Sequence, residues 1–400
     1  MGTKLGLALA GVVVALLLVE GGLRVVDRFY CLDNDSSGGF YDARPFFGWG
    51  HPPGFSGRAK RCLGTKTEWA TYAHINSLGL RDREIPYART GAYRILLLGD
   101  SFTEGLQVAD DETFAKQLER RLNAGRRRVE VVNAGHAGYG TDNELLFYRH
   151  EGRKYRPDLV VQVFNTENDV LENYQPLLRS IPFVYPDKPY FLFEGGRFAV
   201  HNYPLTLAHG WEGAVASVKH ALYRNFVAYR LGSSLTLPRL TVPAHAASVA
   251  THPPGPLGVL LKDYPPEWDE AWRVTRALER RLRRDVRRDG SRFAVVVINP
   301  SYEFSERRWR QKLYFSKERA VDHDQTKAYR LITGFLQRHG IPHIPLLDGF
   351  REHLRVTGVD GYHPWDPHWN AVGHALAAEL IGRGLDDLQL IPGPDGGGAP

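Results

Sequence analysis

The segment Tyr93-Arg-Ile-Leu-Leu-Leu-Gly-Asp-Ser101 decides the fold. Ile95 to Leu98 run without a polar interruption into Gly-Asp-Ser, and so short an apolar run suits a parallel strand covered on both faces. Working outward, Asp111 and Glu112 read as the acidic start of a helix that carries Phe114, Leu118 and Leu122 at helical spacing and stops at Gly125. The alternation repeats with a strand over Val129–Asn133, a helix over Thr141–Tyr155 and a strand over Leu159–Phe164. Beyond residue 265, Trp268, Trp272, Leu278, Leu282 and Val286 mark a long helix ending at Gly290. Phe293–Ile298 then reads as a fourth strand, 323–339 as a helix and Ile341–Leu347 as a fifth strand. Such an order predicts an α/β fold with about five parallel strands.

The stretch of about 170–265 departs from this rhythm. It is aromatic, Pro-rich and Gly-rich, includes Pro253-Pro-Gly-Pro256 and holds one helical pattern over Val218–Leu231. Its apolar positions are dispersed, so it reads as an insertion in the sheet domain. The expected organisation is a membrane or signal segment over 1–30, an extension over 31–90, the sheet domain with its insertion over 91–390, and a disordered tail over 391–400 rich in Gly and Pro.

Composition narrows the classes. Of 400 residues, 43% are hydrophobic and 24% charged, a balance that fits a folded globular chain and excludes collagen-like and polytopic membrane classes. The formal charge of +6 is spread along the chain, and no nucleic-acid motif accompanies it, so no nucleic-acid partner is expected. Six arginines between Arg280 and Arg288 read as a solvated helix face. Leu5 to Val19 is an unbroken apolar or Gly run preceded by Lys4, and it reaches membrane-spanning length if the helix continues to Val26. Val19-Glu-Gly21 is a poor cleavage site, which favours an uncleaved anchor over a signal peptide, with the rest of the chain facing outward. Export would place the two cysteines, Cys31 and Cys62, in an oxidising space, where a disulfide between them is a hypothesis.

The residues that can carry chemistry stand at the ends of the strands. Ser101 follows the first strand, where ligands of open parallel sheets bind, although it could equally cap a helix. The second strand ends in Asn133-Ala-Gly-His-Ala-Gly138 and the third in Asn165-Thr-Glu-Asn168-Asp169. Near the C-terminus, Asp360-Gly-Tyr-His363-Pro-Trp-Asp366-Pro-His368-Trp-Asn-Ala-Val-Gly-His374 gathers three His and two Asp. His and Asp also suit a metal, but that reading leaves Ser101 and Asn168 without a role, and no metal or other cofactor is expected. His136 reads as a solvent-facing or substrate-contacting loop residue, and His323 and Asp324 as surface residues.

These four segments, in this order, resemble the SGNH/GDSL hydrolase superfamily from about Tyr93 to Leu385. The resemblance implies a flavodoxin-like α/β/α sandwich and a serine esterase. It places the nucleophile on Ser101 within Gly99-Asp100-Ser101, and oxyanion donors on the N–H groups of Ser101 and Gly138 and the amide of Asn168. Thr166 stands where the third block normally has Gly. For the last block, Asp366-Pro-His368-Trp resembles the variant in relatives that handle acetyl groups on exopolysaccharides, and Asn370 and Gly373-His374 follow His368 as in many members. His368 with Asp366 is therefore preferred, and Asp360 with His363, which has the family's usual spacing, is the alternative. Asn76-Ser-Leu-Gly-Leu-Arg81-Asp also resembles the lead-in of membrane-anchored bacterial members.

The implied protein is an extracytoplasmic, membrane-anchored bacterial esterase facing the periplasm or exterior, or a secreted one if the leader is cleaved. Its substrate would be an acylated carbohydrate or other ester, with acetyl the expected acyl group. An O-acetyltransferase acting on cell-surface polysaccharide would use the same residues, and product analysis with a glycan acceptor separates the two. A non-catalytic glycan-binding module on the same fold is the third reading, which labelling by an active-serine inhibitor would exclude.

Overall fold

The computed structural model describes residues 2–32, 39–124, 127–180, 187–207, 210–236, 257–316 and 319–393. Five strands form one parallel sheet: β1 (Tyr93–Gly99), β2 (Val129–Gly135), β3 (Leu159–Asn165), β4 (Arg292–Ile298) and β5 (His343–Pro345). Their order across the sheet is β5-β4-β3-β1-β2, the flavodoxin-like arrangement that the resemblance implies. The chain steps from β1 outward to β2 and then returns to the other side of β1 as β3. That reversal opens a crevice at the carboxyl ends of β1 and β3, where Gly99, Gly135 and Asn165 end their strands.

Alternation along the strands divides the core in two. Leu96, Leu98, Val132, Val160, Phe164, Val295 and Val297 face helices α2 (Thr141–His150), α3 (Pro266–Arg288) and α4 (Lys327–Arg338). Ile95, Leu97, Val131, Val161, Val163, Val296 and Ile298 face α1 (Phe114–Leu122) and α5 (Ala371–Asp387). With both faces covered, every residue of β2 and β3 is buried, which explains their near-continuous apolar sequence. β5, at one edge of the sheet, has three residues and pairs only with β4.

Several boundaries differ from expectation. α1 is capped by Thr113, whose side chain accepts the Lys116 N–H, while Asp110–Glu112 form a separate 3-10 turn ahead of it. α2 ends at His150, and Gly152–Tyr155 turn as a 3-10 helix. Among the described residues, two eleven-residue helices were not expected: Glu306–Ser316, in which only Trp309 is buried, and Leu347–Thr357. Of the six arginines between Arg280 and Arg288, Arg280, Arg284, Arg287 and Arg288 are exposed, but Arg281 donates to Phe198 O, and Arg283 to His339 O and Gly340 O.

The extension folds as an antiparallel hairpin, Ser56–Leu63 with Lys66–His74, around its own core of Phe40, Ala59, Trp69, Ala73, Ile75 and Leu106. Cys31 and Cys62 are joined by a disulfide, which ties this hairpin to the end of the N-terminal helix Gly2–Phe29. Within the insertion, the hairpin Tyr190–Glu194 with Arg197–His201 packs on α3, where Arg273 lies over the Phe193 ring and Arg281 over Phe191. The helices Gly210–Asn225 and Val227–Thr236 continue it. The Pro253–Pro256 run, the aromatics Phe183 and Tyr185 and the tail beyond Gly393 lie outside the described residues.

Candidate active site

Close packing at the ends of β1 and β2 builds the turn that carries Ser101. Asp100 accepts the Phe102 N–H, Ser101 opens a one-turn helix, and Gly105 closes it in the left-handed region at φ 72° while donating to Ser101 O. A Cβ on Gly99 would lie 2.2 Å from Thr103 Oγ1, and one on Gly135 would lie 2.2 Å from the Glu104 backbone nitrogen. Both glycines are needed because the Ser101 turn folds back onto the ends of the two strands.

Ser101 Oγ lies 2.7 Å from His368 Nε2. The other ring nitrogen, Nδ1, bonds Asp366 Oδ1, which also accepts the His368 backbone N–H at 3.0 Å. With Nδ1 donating to the carboxylate, the neutral ring leaves Nε2 as acceptor for the serine hydroxyl. Burial pushes the His368 pKa down, but the Asp366 carboxylate outweighs it, so the net shift is upward. Burial pushes Asp366 up, and His368 with the surrounding donors overcomes it, leaving the carboxyl well below its usual range.

The alternative pair is arranged otherwise. Asp360 accepts from Arg308 Nε at 2.7 Å and from Arg307 at 3.3 Å. His363 lies with its ring near Trp69, and its backbone N–H donates to His368 O. The third histidine of the cluster, His374, is buried and accepts the Phe114 N–H at 3.1 Å, with burial lowering its pKa to about 3. Among the described residues, no group of three or more His, Cys, Asp or Glu side chains is arranged to hold a metal ion.

Gly138 and Asn168 follow β2 and β3 at the same sheet edge. Gly138 has φ 74°, and the preceding Ala137 N–H donates to Glu104 Oε2 at 3.1 Å. Glu104, three residues after Ser101, also accepts from Tyr41 Oη, and burial raises its pKa to about 7. The Asn168 amide donates to Asp100 Oδ2 at 3.3 Å and to Glu172 Oε1 at 3.1 Å. Thr166, at the block's departure from Gly, is buried with Oγ1 on Glu303 Oε1 at 2.7 Å.

The residues that the sequence did not single out come from the extension. Trp69 Nε1 donates to Asp366 Oδ2 at 2.9 Å, and Arg61 Nη1 reaches the same oxygen at 3.2 Å. Glu68 Oε1 accepts the backbone N–H groups of Trp365 and Asp366. The polar strands of this hairpin gave no sign of such a role, and 297 residues separate Trp69 from Asp366. Beside Asp366 lies a cleft of about 450 Å³ rimmed by Arg61, Glu167, Arg308, Lys312, Phe315 and Trp365.

Two histidines correct the reading from sequence. His136 is buried, with its ring stacked between His51 and Tyr139, because the loop after β2 turns under the extension. His323 is buried against Trp309, paired through a bridge to Leu261. Of the insertion's aromatics, Phe191 is wholly buried and Phe193 packs on Phe198, while Tyr174 and Tyr190 are half-buried.

No family model and no curated relative matches this chain. Among solved structures, it is similar to the acetylxylan esterase Axe2 of Geobacillus stearothermophilus, at 12% identity and TM-score 0.38, over 73% of this chain and 94% of that one. It is also similar to a GDSL-like lipase from Bacteroides thetaiotaomicron, at 11% identity and TM-score 0.35, over 76% and 93% of the two chains. A two-domain esterase active on acetylated mannans matches at 12% identity and TM-score 0.37, over 75% of this chain and 50% of that one. Likeness at this level says nothing of substrate.

Proposed function

We propose that this chain is a serine ester hydrolase of the SGNH type, acting through an acyl-enzyme on Ser101. The supporting observation is the continuous line of hydrogen bonds from Ser101 Oγ to His368 Nε2, at 2.7 Å, and from His368 Nδ1 to Asp366. A serine hydroxyl is a weak nucleophile at neutral pH and needs an adjacent base. In this reading His368 takes the hydroxyl proton as Oγ attacks the ester carbonyl carbon, and Asp366 stabilises the imidazolium. The carbonyl electrons move onto oxygen, and the N–H groups of Ser101 and Gly138 and the Asn168 amide are the proposed donors to that oxyanion. The alcohol then leaves with the proton from His368. Water, deprotonated by His368, next attacks the acyl carbon, and as the acyl–Oγ bond breaks His368 gives that proton to Ser101 Oγ and the acid is released. An oxyanion would compete with Asp100 and Glu172 for the two hydrogens of the Asn168 amide.

The proposed substrate is an acylated carbohydrate, with acetyl as the acyl group. The exposed rings of Trp365 and Phe315 at the cleft support this, since aromatic faces stack on sugars. The exposed apolar N-terminal helix supports anchorage in a membrane, with the site facing the periplasm or the exterior. The test is hydrolysis of an aryl acetate together with labelling by a fluorophosphonate. Ser101→Ala should abolish both, and unchanged turnover in that variant would defeat the proposal.

A further inference from the structure

We infer that Trp69, on the hairpin of the N-terminal extension, is a positioning residue that fixes the carboxylate of Asp366 against His368. The inference rests on the serine-hydrolase reading above. A carboxylate turns about its Cβ–Cγ bond, so a useful acid partner needs each oxygen assigned. Here Oδ1 is taken by His368 Nδ1 and the His368 backbone N–H, while Oδ2 is taken by Trp69 Nε1 at 2.9 Å and Arg61 at 3.2 Å. The backbone of the same loop is held from both sides. Glu68 accepts the Trp365 and Asp366 N–H groups, and Arg308 donates to Pro364 O and His363 O.

The hairpin therefore grips both the main chain and the side chain of Asp366. Trp69 is the member of this grip best suited to a test. It is 6% exposed, and its ring fills the extension's small core, so only its N–H is directed at the site. Arg61, by contrast, borders the cleft and could touch substrate.

Trp69→Phe keeps an aromatic ring and removes the donor. Without the indole N–H, Asp366 becomes more basic and His368 holds its proton more tightly, so the acid limb of kcat/KM should move to higher pH. The other charged or titratable groups near this pair are Arg61 and Glu68 on the hairpin, Asp100 and Glu104 around the Ser101 turn, Glu167 after β3, His363 on the loop and His374 on α5. None of them is altered by the substitution.

For aryl acetate hydrolysis by the full chain, kcat should fall roughly ten- to a hundredfold, by analogy with losing the outer hydrogen-bond partner of a metal-ligating side chain. KM should stay close to wild type, while the melting midpoint should fall by a few degrees because the smaller ring leaves a void in the extension's core. In an Asp366→Ala background the same substitution should have no further effect on kcat, because the carboxylate it holds is gone. If Trp69→Phe does not fold, 3-benzothienylalanine at position 69 keeps the bicyclic shape and lacks the N–H, and the same outcomes apply. With Ser101→Ala inactive, an unchanged kcat and acid limb in the Trp69 variant would overturn this inference and leave the hydrolase reading standing. A loss that recurs undiminished beside Asp366→Ala would overturn it as well. An active Ser101→Ala would take both down.

Discussion

His368 is pushed down by burial and up by Asp366, and the balance lies above its ordinary 6.5. The base must be neutral to accept the serine proton, so kcat/KM should rise with pH through a limb above 6.5 and then level off. Stability runs the other way. A raised histidine pKa contributes stability that is fully present below the ordinary value and is lost as pH rises through the raised one, so the rate gains where this contribution fades. Asp366, whose carboxyl is lowered, contributes stability above the ordinary carboxylate range that is lost as pH falls through its folded pKa. A kcat/KM that keeps its plateau value from high pH down through 6.5 would contradict the assignment of His368 as base. The acid can be tested apart from the base. Asp366→Asn should lower kcat on the order of 10⁴-fold by leaving the wrong tautomer. Asp360→Asn, which frees Arg308, should cost stability while most of the activity remains. Equal losses of kcat in the two variants, measured side by side, would remove Asp366 from its proposed role. At this scale the sequence supplied candidates, and the two Asp–His spacings within one loop left the pairing open. The Pro-rich loop geometry that turns Asp360 toward Arg308 and Asp366 toward His368 has no local sequence signature.

The elements divide according to how their burial is written. β1 to β4 were legible because a strand covered on both faces must be apolar throughout, and α1 and α3 because one apolar stripe faces a sheet. The helix Glu306–Ser316 was not, since a single buried residue, Trp309, makes no period. The extension's hairpin carried a readable signal, Gly64-Thr65 between strand-like runs with Gly64 at φ 60°. Its task of holding a loop almost three hundred residues away was invisible to any local pattern. Two expectations follow for these elements. Gly135→Ala places a Cβ where the Ser101 turn runs, and no flexible side chain is there to yield, so the variant should lose about 1–3 kcal/mol and most of its activity. Chemical denaturation with parallel rates checks this, and wild-type values would show that the turn tolerates the methyl group. The Cys31–Cys62 bridge closes a loop of 31 residues, for which chain entropy gives about 3–4 kcal/mol. Cys31→Ser with Cys62→Ser should lower stability by up to that amount, and an unchanged denaturation midpoint would assign the bridge no stabilising part.

At the scale of the whole molecule, the N-terminal helix stands apart from the packing logic of the rest. Thr3 to Val19 are exposed throughout, among them Leu7 at 74% and Leu18 at 71%, so the described residues leave these apolar side chains largely uncovered. Contact with the body begins where the run ends. Glu20 is buried and accepts the Val227 and Ala228 N–H groups at 3.0 Å, capping the helix Val227–Thr236, and Arg24 donates to Asn225 O. This junction and the Cys31–Cys62 bridge fasten the helix to the insertion and to the hairpin that holds the acid loop. Two forces could bring such a molecule to a bilayer: burial of the apolar helix, and attraction of a +6 chain to anionic lipid. They respond differently to salt, because charge attraction between exposed groups is screened within about 8–10 Å at 0.1–0.15 M and more strongly above it. A spanning helix is held by apolar transfer, which salt does not weaken. Full-length protein reconstituted with vesicles of mixed zwitterionic and anionic lipid should therefore stay with the lipid through 1 M salt and an alkaline carbonate wash. A chain carrying Leu9→Asp, Val13→Asp and Leu17→Asp should be released by either wash while keeping its esterase rate, since none of these residues touches the site. Release of the unmodified chain by salt alone would assign the attachment to charge and withdraw the anchor from the proposed function, leaving the Ser101–His368–Asp366 reading untouched.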